Sequence, residues 1–378
     1  KPDISTLGER GHFYLGLTVL SKVLDPIRSL SYPDVLPPIN TEKRVLENVA
    51  GLLVTFVVIL IGAELFTNGI EWAGHRLKLA EGAVGSLLAA VGTALPETLI
   101  PVVAIFFSRD ARAMDVAVGA IAGAPFMLAT LTLFVASTTV LLLARGGRRA
   151  KTFDLNKPVI LRDLAFFLGL YGVAVLATFT PSLPFRVVVA AGLFLAYLYY
   201  AFATLRSEGE LGDDLNPLHL TRVIPVRERL RVIGLQVILG LALIIAGAHF
   251  FVEFVQHVAD GLGISTLVLA LILTPIATEL PEKANSILWI RAKKDTLAIG
   301  NITGAMVFQS SVPVALGVVF TPWDLKGPTL LSAVLALTSS GIVFLFLRRD
   351  KPLRATLPLV VGGVSYGAFL SYVFLVIL

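Results

Sequence analysis

The chain has 378 residues, 56% of them hydrophobic and 15% charged, with a mean hydropathy of +0.84. A soluble domain of this length cannot hide so much apolar surface, so the composition excludes one and indicates an integral membrane protein. The net charge of +5 comes in short basic clusters between apolar runs, as in membrane-face loops and unlike a nucleic-acid-binding domain, and without cysteine there is neither disulfide nor thiolate metal site.

Residues 1–44 are expected to form an interfacial amphipathic segment followed by a proline-rich linker containing Pro33, Pro37 and Pro38. The apolar run Phe13–Leu24 is short and lacks the small-residue cleavage site of a signal peptide, and Lys1 in place of Met is read as a trimmed start. Ten spans long enough to cross hydrocarbon follow: 46–72, 80–107, 113–144, 159–179, 184–205, 231–258, 264–290, 296–320, 328–347 and 354–377. The third is overlong and is expected to be tilted or broken. Alternating the loops between two faces sends Arg145, Arg148, Arg149, Lys151, Arg222, Arg227, Arg229, Arg291, Lys293, Lys294, Arg348 and Arg349 to one side. The positive-inside rule makes that side cytoplasmic, with both termini outside an inner, plasma membrane.

Two halves of the chain resemble each other. "GAELF" (Gly62–Phe66) matches "GAHFF" (Gly247–Phe251), and "TALPE" (Thr93–Glu97) matches "TELPE" (Thr278–Glu282), both at an offset of 185. "AVGAIAGA" (Ala117–Ala124) matches "AIGNITGA" (Ala298–Ala305) at an offset of 181. With five spans per half, the second half enters the membrane from the opposite face, which makes the repeat inverted, as in secondary transporters. The expected fold is therefore all-α and integral to the membrane, with ten transmembrane helices in two inverted five-helix repeats and broken core helices. The first repeat takes 45–205 (its α-repeat about 62–130) and the second 231–378 (its α-repeat about 247–311). A cytoplasmic connecting loop, 206–230, too short to fold alone, joins them.

The matched motifs contain the residues that most disturb a buried helix. Proline in a helix interior costs about 3 kcal/mol but suits a first turn. Thr93 and Thr278 are therefore read as ends of half-helices, with Pro96 and Pro281 starting the next. A charge at the bilayer centre costs on the order of 2.5–3.5 kcal/mol even on the lenient scale, so Glu97, Glu279 and Glu282 need bound cations, protons or a basic partner. Lys283 is the one basic residue near them in sequence, and it can either pair with one of them or snorkel away to the interface. Carboxylates, threonine hydroxyls and the carbonyls freed by the breaks make an all-oxygen cavity, which suits hard cations such as Ca²⁺ and Na⁺.

At these residues the chain resembles the cation/calcium exchanger superfamily, which includes the sodium/calcium exchangers. The family's G-T-S-L-P-E signature stands here as "GTALPE" and "ATELPE", and its later segment as "GAIAGAPFML" and "GNITGAMVFQ". The resemblance implies alternating-access exchange of Ca²⁺ for another cation. Glu97 and Glu282 would be central Ca²⁺ ligands, Thr93 and Thr278 oxygen donors, and Gln309 the amide of the second later segment. The family serines that help to bind Na⁺ are missing: Ala94, Glu279, Ala124 and Ala305 stand in their places, and Leu128 replaces the first amide or carboxylate. Glu279 either restores a third negative charge or serves as a proton carrier. Asn301, Asn285 and Thr274 are read as helpers around the site or as helix-packing groups.

The function implied is a secondary active antiporter moving Ca²⁺, or a similar divalent cation, in exchange for Na⁺, with H⁺ coupling as the alternative. A cation channel and an intramembrane enzyme compete from other classes. No Asp lies deep in a predicted span, which counts against an aspartyl protease. No cofactor is expected, and the partners are the lipid bilayer and inorganic cations, with no nucleic acid and no obligatory protein partner. Glu64 and His249, at equivalent repeat positions, flank the ion path, pair with each other or lie near a membrane interface, the last being preferred, and His219 has no assigned role.

Overall fold

A computed structural model describes residues 41–76, 94–108, 110–180, 182–207, 217–223, 229–349 and 351–377, and the apolar runs in them are helical. The chain divides into two units, 1–44 and 45–378, and of the first only the start of the first helix is described. In order, the helices are α1 (Thr41–Arg76), α2 (Leu95–Phe106), α3 (Ala113–Met127), α4 (Leu133–Arg145), α5 (Lys157–Leu176), α6 (Leu183–Ser207) and α7 (His219–Val223). After them come α8 (Leu230–Leu262), α9 (Thr266–Thr278), α10 (Leu280–Arg291), α11 (Asp295–Gln309), α12 (Val312–Phe320), α13 (Pro328–Leu347) and α14 (Thr356–Tyr372). Among the described residues there is no strand, only a single antiparallel bridge between Thr152 and Arg354.

Among the described residues, eight helical stretches are long and apolar enough to cross a membrane: Arg44–Arg76, Ala113–Arg145, Lys157–Phe179, Leu183–Thr204, Leu230–Leu262, Asp295–Phe320, Pro328–Leu347 and Thr356–Leu375. Their outer faces stay apolar where no helix covers them. On α6, Val188, Leu195 and Tyr199 are each more than 60% exposed, a surface that belongs in hydrocarbon. The two expected spans absent from the eight, 80–107 and 264–290, are those carrying the L-P-E motifs. The first is described only from Ala94 on, and the second is broken into α9 and α10.

Glycine lets α1 and α8 cross closely. Along α1 from Val45 through Gly51, Gly62 and Phe66 to Gly69, the partner on α8 runs backwards from Gly261 through Phe254 and Gly240 to Val237. The helices are therefore antiparallel over most of their length. Gly62 meets Gly240 and Ile244, whereas Gly247 meets Thr55 and Ile59. In the repeat, Gly247 is the counterpart of Gly62, and Gly240 and Ile244 are the counterparts of Thr55 and Ile59, so the contact is reciprocal. Small residues at such crossings let van der Waals packing do what hydrophobicity cannot between lipid-immersed helices. The same device joins α3 to α9, where a Cβ on Gly123 would collide with the Leu271 carbonyl oxygen.

The overlong third span is one helical run interrupted by a π turn, Leu128–Thr132, between α3 and α4. Pro125, three positions earlier, cannot donate to the helix ladder, and the widened turn leaves carbonyls to be satisfied from outside. Ser339 on α13 donates to the Ala129 carbonyl at 2.7 Å, and Thr130 Oγ1 donates to Phe126 O at 2.6 Å. Gly362 brings α14 against the Thr130 carbonyl.

The eighth span, present as Asp295–Phe320, contains a break that the sequence reading did not mark. Residues 296–320 are not one helix: α11 ends at Gln309, and α12 restarts at Val312 with Pro313 in its first turn. Ser310 and Ser311 fill the gap, fully buried, and both hydroxyls donate back to the Val307 carbonyl, at 3.1 and 2.7 Å. The break is capped by its own serines.

Candidate functional site

The helices α2 and α10 begin alike. Ala94 and Glu279, at equivalent repeat positions, both precede a Leu-Pro-Glu first turn, and their backbones adopt nearly the same angles (φ −83°, ψ 0° and φ −90°, ψ 8°). Proline fits there because a first-turn N–H has no intrahelical acceptor anyway. Glu97 and Glu282 thus stand in the first turns of α2 and α10, at the positive end of each helix dipole. Thr278 ends α9, as expected; Thr93 lies outside the described residues.

All three glutamates are buried: Glu97 is 4% exposed, Glu279 0% and Glu282 3%. Glu97 lies within electrostatic reach of Glu282, Glu279 and Lys283, so the two motifs share one region. Neither Glu97 carboxylate oxygen accepts a hydrogen bond from another described residue. Burying such a group without a hydrogen bond from another residue is costly. Among the described residues, no three acidic or histidine side chains converge closely enough to hold an ion between them.

Glu279 is differently placed. Lys283, one turn on, is itself buried, and its Nζ donates to Glu279 Oε2 at 3.0 Å. Thr132 Oγ1, from the π turn of the third span, lies 3.5 Å from the same oxygen, and Tyr366 on α14 is within electrostatic reach. The sequence offered pairing and snorkelling for Lys283; the structure pairs it. Thr132 was not legible, because only the extra residue of the π turn directs it here.

The remaining expected residues surround these. Thr274 is 2% exposed, its hydroxyl has no partner among the described residues, and its carbonyl accepts the Thr278 hydroxyl at 3.1 Å. Asn301 donates to the Glu282 carbonyl at 3.4 Å, tying α11 to α10, while Asn285 is partly buried. Gln309 is buried at the end of α11, beside the Ser310–Ser311 break, with no described partner for its Oε1. Where the family carries serines or an amide, the buried Ala94, Ala124 and Leu128 present hydrocarbon.

Three readings of the sequence are corrected. Glu64 does not meet His249: its Oε1 lies 2.9 Å from His219 Nε2, while His249 sits 3.5 Å from Glu253 on its own helix. His219 therefore has a role, docking α7 on α1, helped by Asn68 accepting the His219 backbone N–H. An aspartate is also buried within a span. Asp163 on α5 is 2% exposed and accepts from Thr303 Oγ1 (2.8 Å), the Tyr200 hydroxyl (3.0 Å) and Arg162 (3.2 Å). With its oxygens engaged from three helices, it is a fastening between α5, α6 and α11 and not half of a catalytic carboxylate pair.

A helical, multi-pass chain with buried carboxylates in the first turns of proline-started helices has the build of a membrane ion transporter. Over residues 47–206 and 233–378 the sequence matches the family described as sodium/calcium exchanger protein, and the chain belongs to that family of ion exchangers, which are not enzymes. Inner membrane protein YrbG of Escherichia coli (strain K12) is 28% identical over 320 residues, covering 82% of this chain and 93% of that protein. The H⁺/Ca²⁺ exchanger CAX has a similar crystal structure, with a TM-score of 0.63 at 15% identity over 97% of this chain and 94% of that one. The sodium-calcium exchanger NCX_Mj gives 0.55 at 18% identity, over 86% and 99%. At these identities the two structures are alike in fold.

Proposed function

We propose that the protein is a secondary active antiporter exchanging Ca²⁺, or a similar divalent cation, for Na⁺ by alternating access. The observation that carries this reading is the matched pair Glu97 and Glu282, buried, each in the first turn of a half-helix, and each within the other's field. A divalent cation between them neutralises charge that is otherwise costly at that depth. Thr278, Glu279 and Gln309, with Thr93, complete the oxygen set, and Asn301, Asn285 and Thr274 support it. The reciprocal antiparallel contact of α1 with α8 supports two inverted five-helix repeats, 45–205 and 231–378, ten helices in all, joined by a cytoplasmic 206–230 loop. On the charge split both termini face outwards.

Proton coupling is the second reading, and one observation favours it. Positions where the family places serine hydroxyls for Na⁺ carry methyls at Ala94 and Ala124, and Leu128 stands where it places an amide or carboxylate. Reconstitution into liposomes separates the two: Ca²⁺ uptake driven by an outward Na⁺ gradient supports Na⁺ exchange, and uptake driven only by a pH gradient supports H⁺ exchange. Uptake under neither, with protein correctly inserted, overturns both.

A further inference from the structure

The two half-sites differ at one pair of positions. In the first half, Thr98 Oγ1 donates to the Ala94 carbonyl at 3.1 Å, a neutral arrangement. The equivalent positions of the second half are Lys283 and Glu279, whose side chains form the 3.0 Å ion pair. The second half thus carries one extra negative and one extra positive charge, both buried, and both within reach of Glu97. An ion pair buried this deeply is a poor stability device, since hydrophobic residues of similar volume often serve as well or better. Its informative property is charge. Three carboxylates and one ammonium total −2, the charge one divalent cation cancels.

We propose that Lys283 is a resident cation of the ion site. Its ammonium, held by Glu279 where the first half has only a threonine and an alanine, fixes the site at −2 and weakens its hold on a divalent ion enough for release. This rests on the antiporter reading above and adds to it the residue that sets affinity. A carrier must bind firmly enough to load and weakly enough to unload. With Lys283 neutralised, the site would hold −3 against the same ion.

Equilibrium Ca²⁺ binding by the purified full-length chain, measured with ⁴⁵Ca²⁺, tests this at mildly alkaline pH and constant ionic strength. Lys283→Gln is expected to bind Ca²⁺ at least about ten-fold more tightly than the wild type, because a unit charge nearby at intermediate effective dielectric acts twice over on a divalent ion. In liposomes the same variant should show a lower KM for Ca²⁺ and a lower maximal rate. Glu279→Gln should bind at least about ten-fold more weakly, and Glu279→Ala/Lys283→Thr, which copies the first half, should fall between the two single variants. A structural role for the pair would weaken binding in every variant and could not order them by charge. Folded Lys283→Gln that binds Ca²⁺ as the wild type does, or more weakly, overturns the resident cation and leaves the antiporter reading standing. If that variant does not fold, adding Lys283→Gln to Glu279→Gln must recover the lost affinity, and failure to do so is equally decisive. A wild-type chain with no saturable Ca²⁺ binding overturns the antiporter reading and this inference with it.

Discussion

A Cβ on Gly62 would stand 2.9 Å from the Gly240 carbonyl oxygen, and a Cβ on Gly240 would stand 2.8 Å from that of Gly62. The two glycines hold α1 and α8 at a separation no larger residue permits. Gly62→Val is therefore expected to destabilise the detergent-purified protein by ~1–3 kcal/mol, as overpacking does, or more, and so to lower its thermal midpoint. Gly192→Ala, with open space around its Cβ, should be neutral or gain up to about 1 kcal/mol. Equal midpoints for Gly62→Val and the wild type would rule out this crossing.

Glu97 gives a prediction with two readouts. Its oxygens have no hydrogen bond from another described residue, so Glu97→Gln removes a buried charge without breaking such a bond. Thermal stability in Ca²⁺-free buffer should not fall. Ca²⁺ should stabilise the wild type by about 2.7 kcal/mol at a hundred times its Kd and leave the variant unmoved. Exchange in liposomes should drop to the background of empty vesicles, and Glu282→Gln should behave alike. Normal exchange by either variant would remove that carboxylate from the site.

Arg149 and Asp295 form a buried ion pair at the start of α11, with Arg149 also donating to Ile290 O (3.2 Å) and Thr152 O (3.1 Å). The Asp154 backbone N–H donates to Asp295 at 2.9 Å. Arg149→Met strands the carboxylate and should cost about 3–5 kcal/mol by thermal or denaturant unfolding. Arg149→Lys should recover only part, because an ammonium cannot reproduce the guanidinium fork. Exchanging the two residues should not restore stability, since the carbonyls and the N–H around them fix the polarity. Full rescue by the exchange would show that charge alone matters there.

Asp163 ties three elements, and its neighbours should reveal a hierarchy. Tyr200→Phe loses one hydrogen bond to a charged group, about 1.5–3 kcal/mol. Asp163→Ala, which strands Thr303, Tyr200 and Arg162 together, should cost more than Tyr200→Phe in the same unfolding assay. The reverse order would refute the fastening role.

Much of the local architecture was legible because its causes are local. Pro96 and Pro281 mark first turns, and α2 and α10 begin there. Pro313 carried the same signal after Ser310 and Ser311, yet the break in the eighth span went unread because no charged residue drew attention to it. What stayed hidden depends on distant partners. Asp163 meets Thr303 from far along the chain, and Glu64 meets His219 on a short helix that the hydrophobic pattern could not reveal. The pairing of Lys283 was a choice between neighbour and interface, and the burial of α10 against α4 and α11 decides it. In the candidate site, the matched glutamates were legible from the repeat, whereas Thr132 was not.

The π turn at Leu128–Thr132 sets the angular phase of everything that follows it in the third span. Each residue of an α-helix advances by about 100°, so tightening the turn to ordinary pitch would shift the downstream face by a comparable rotation. Thr132 would swing off its line to Glu279, and the side of α4 that meets α10 would turn with it. One surplus residue in the backbone therefore works as a rotational offset, aiming a hydroxyl that an unbroken helix of the same sequence would direct elsewhere.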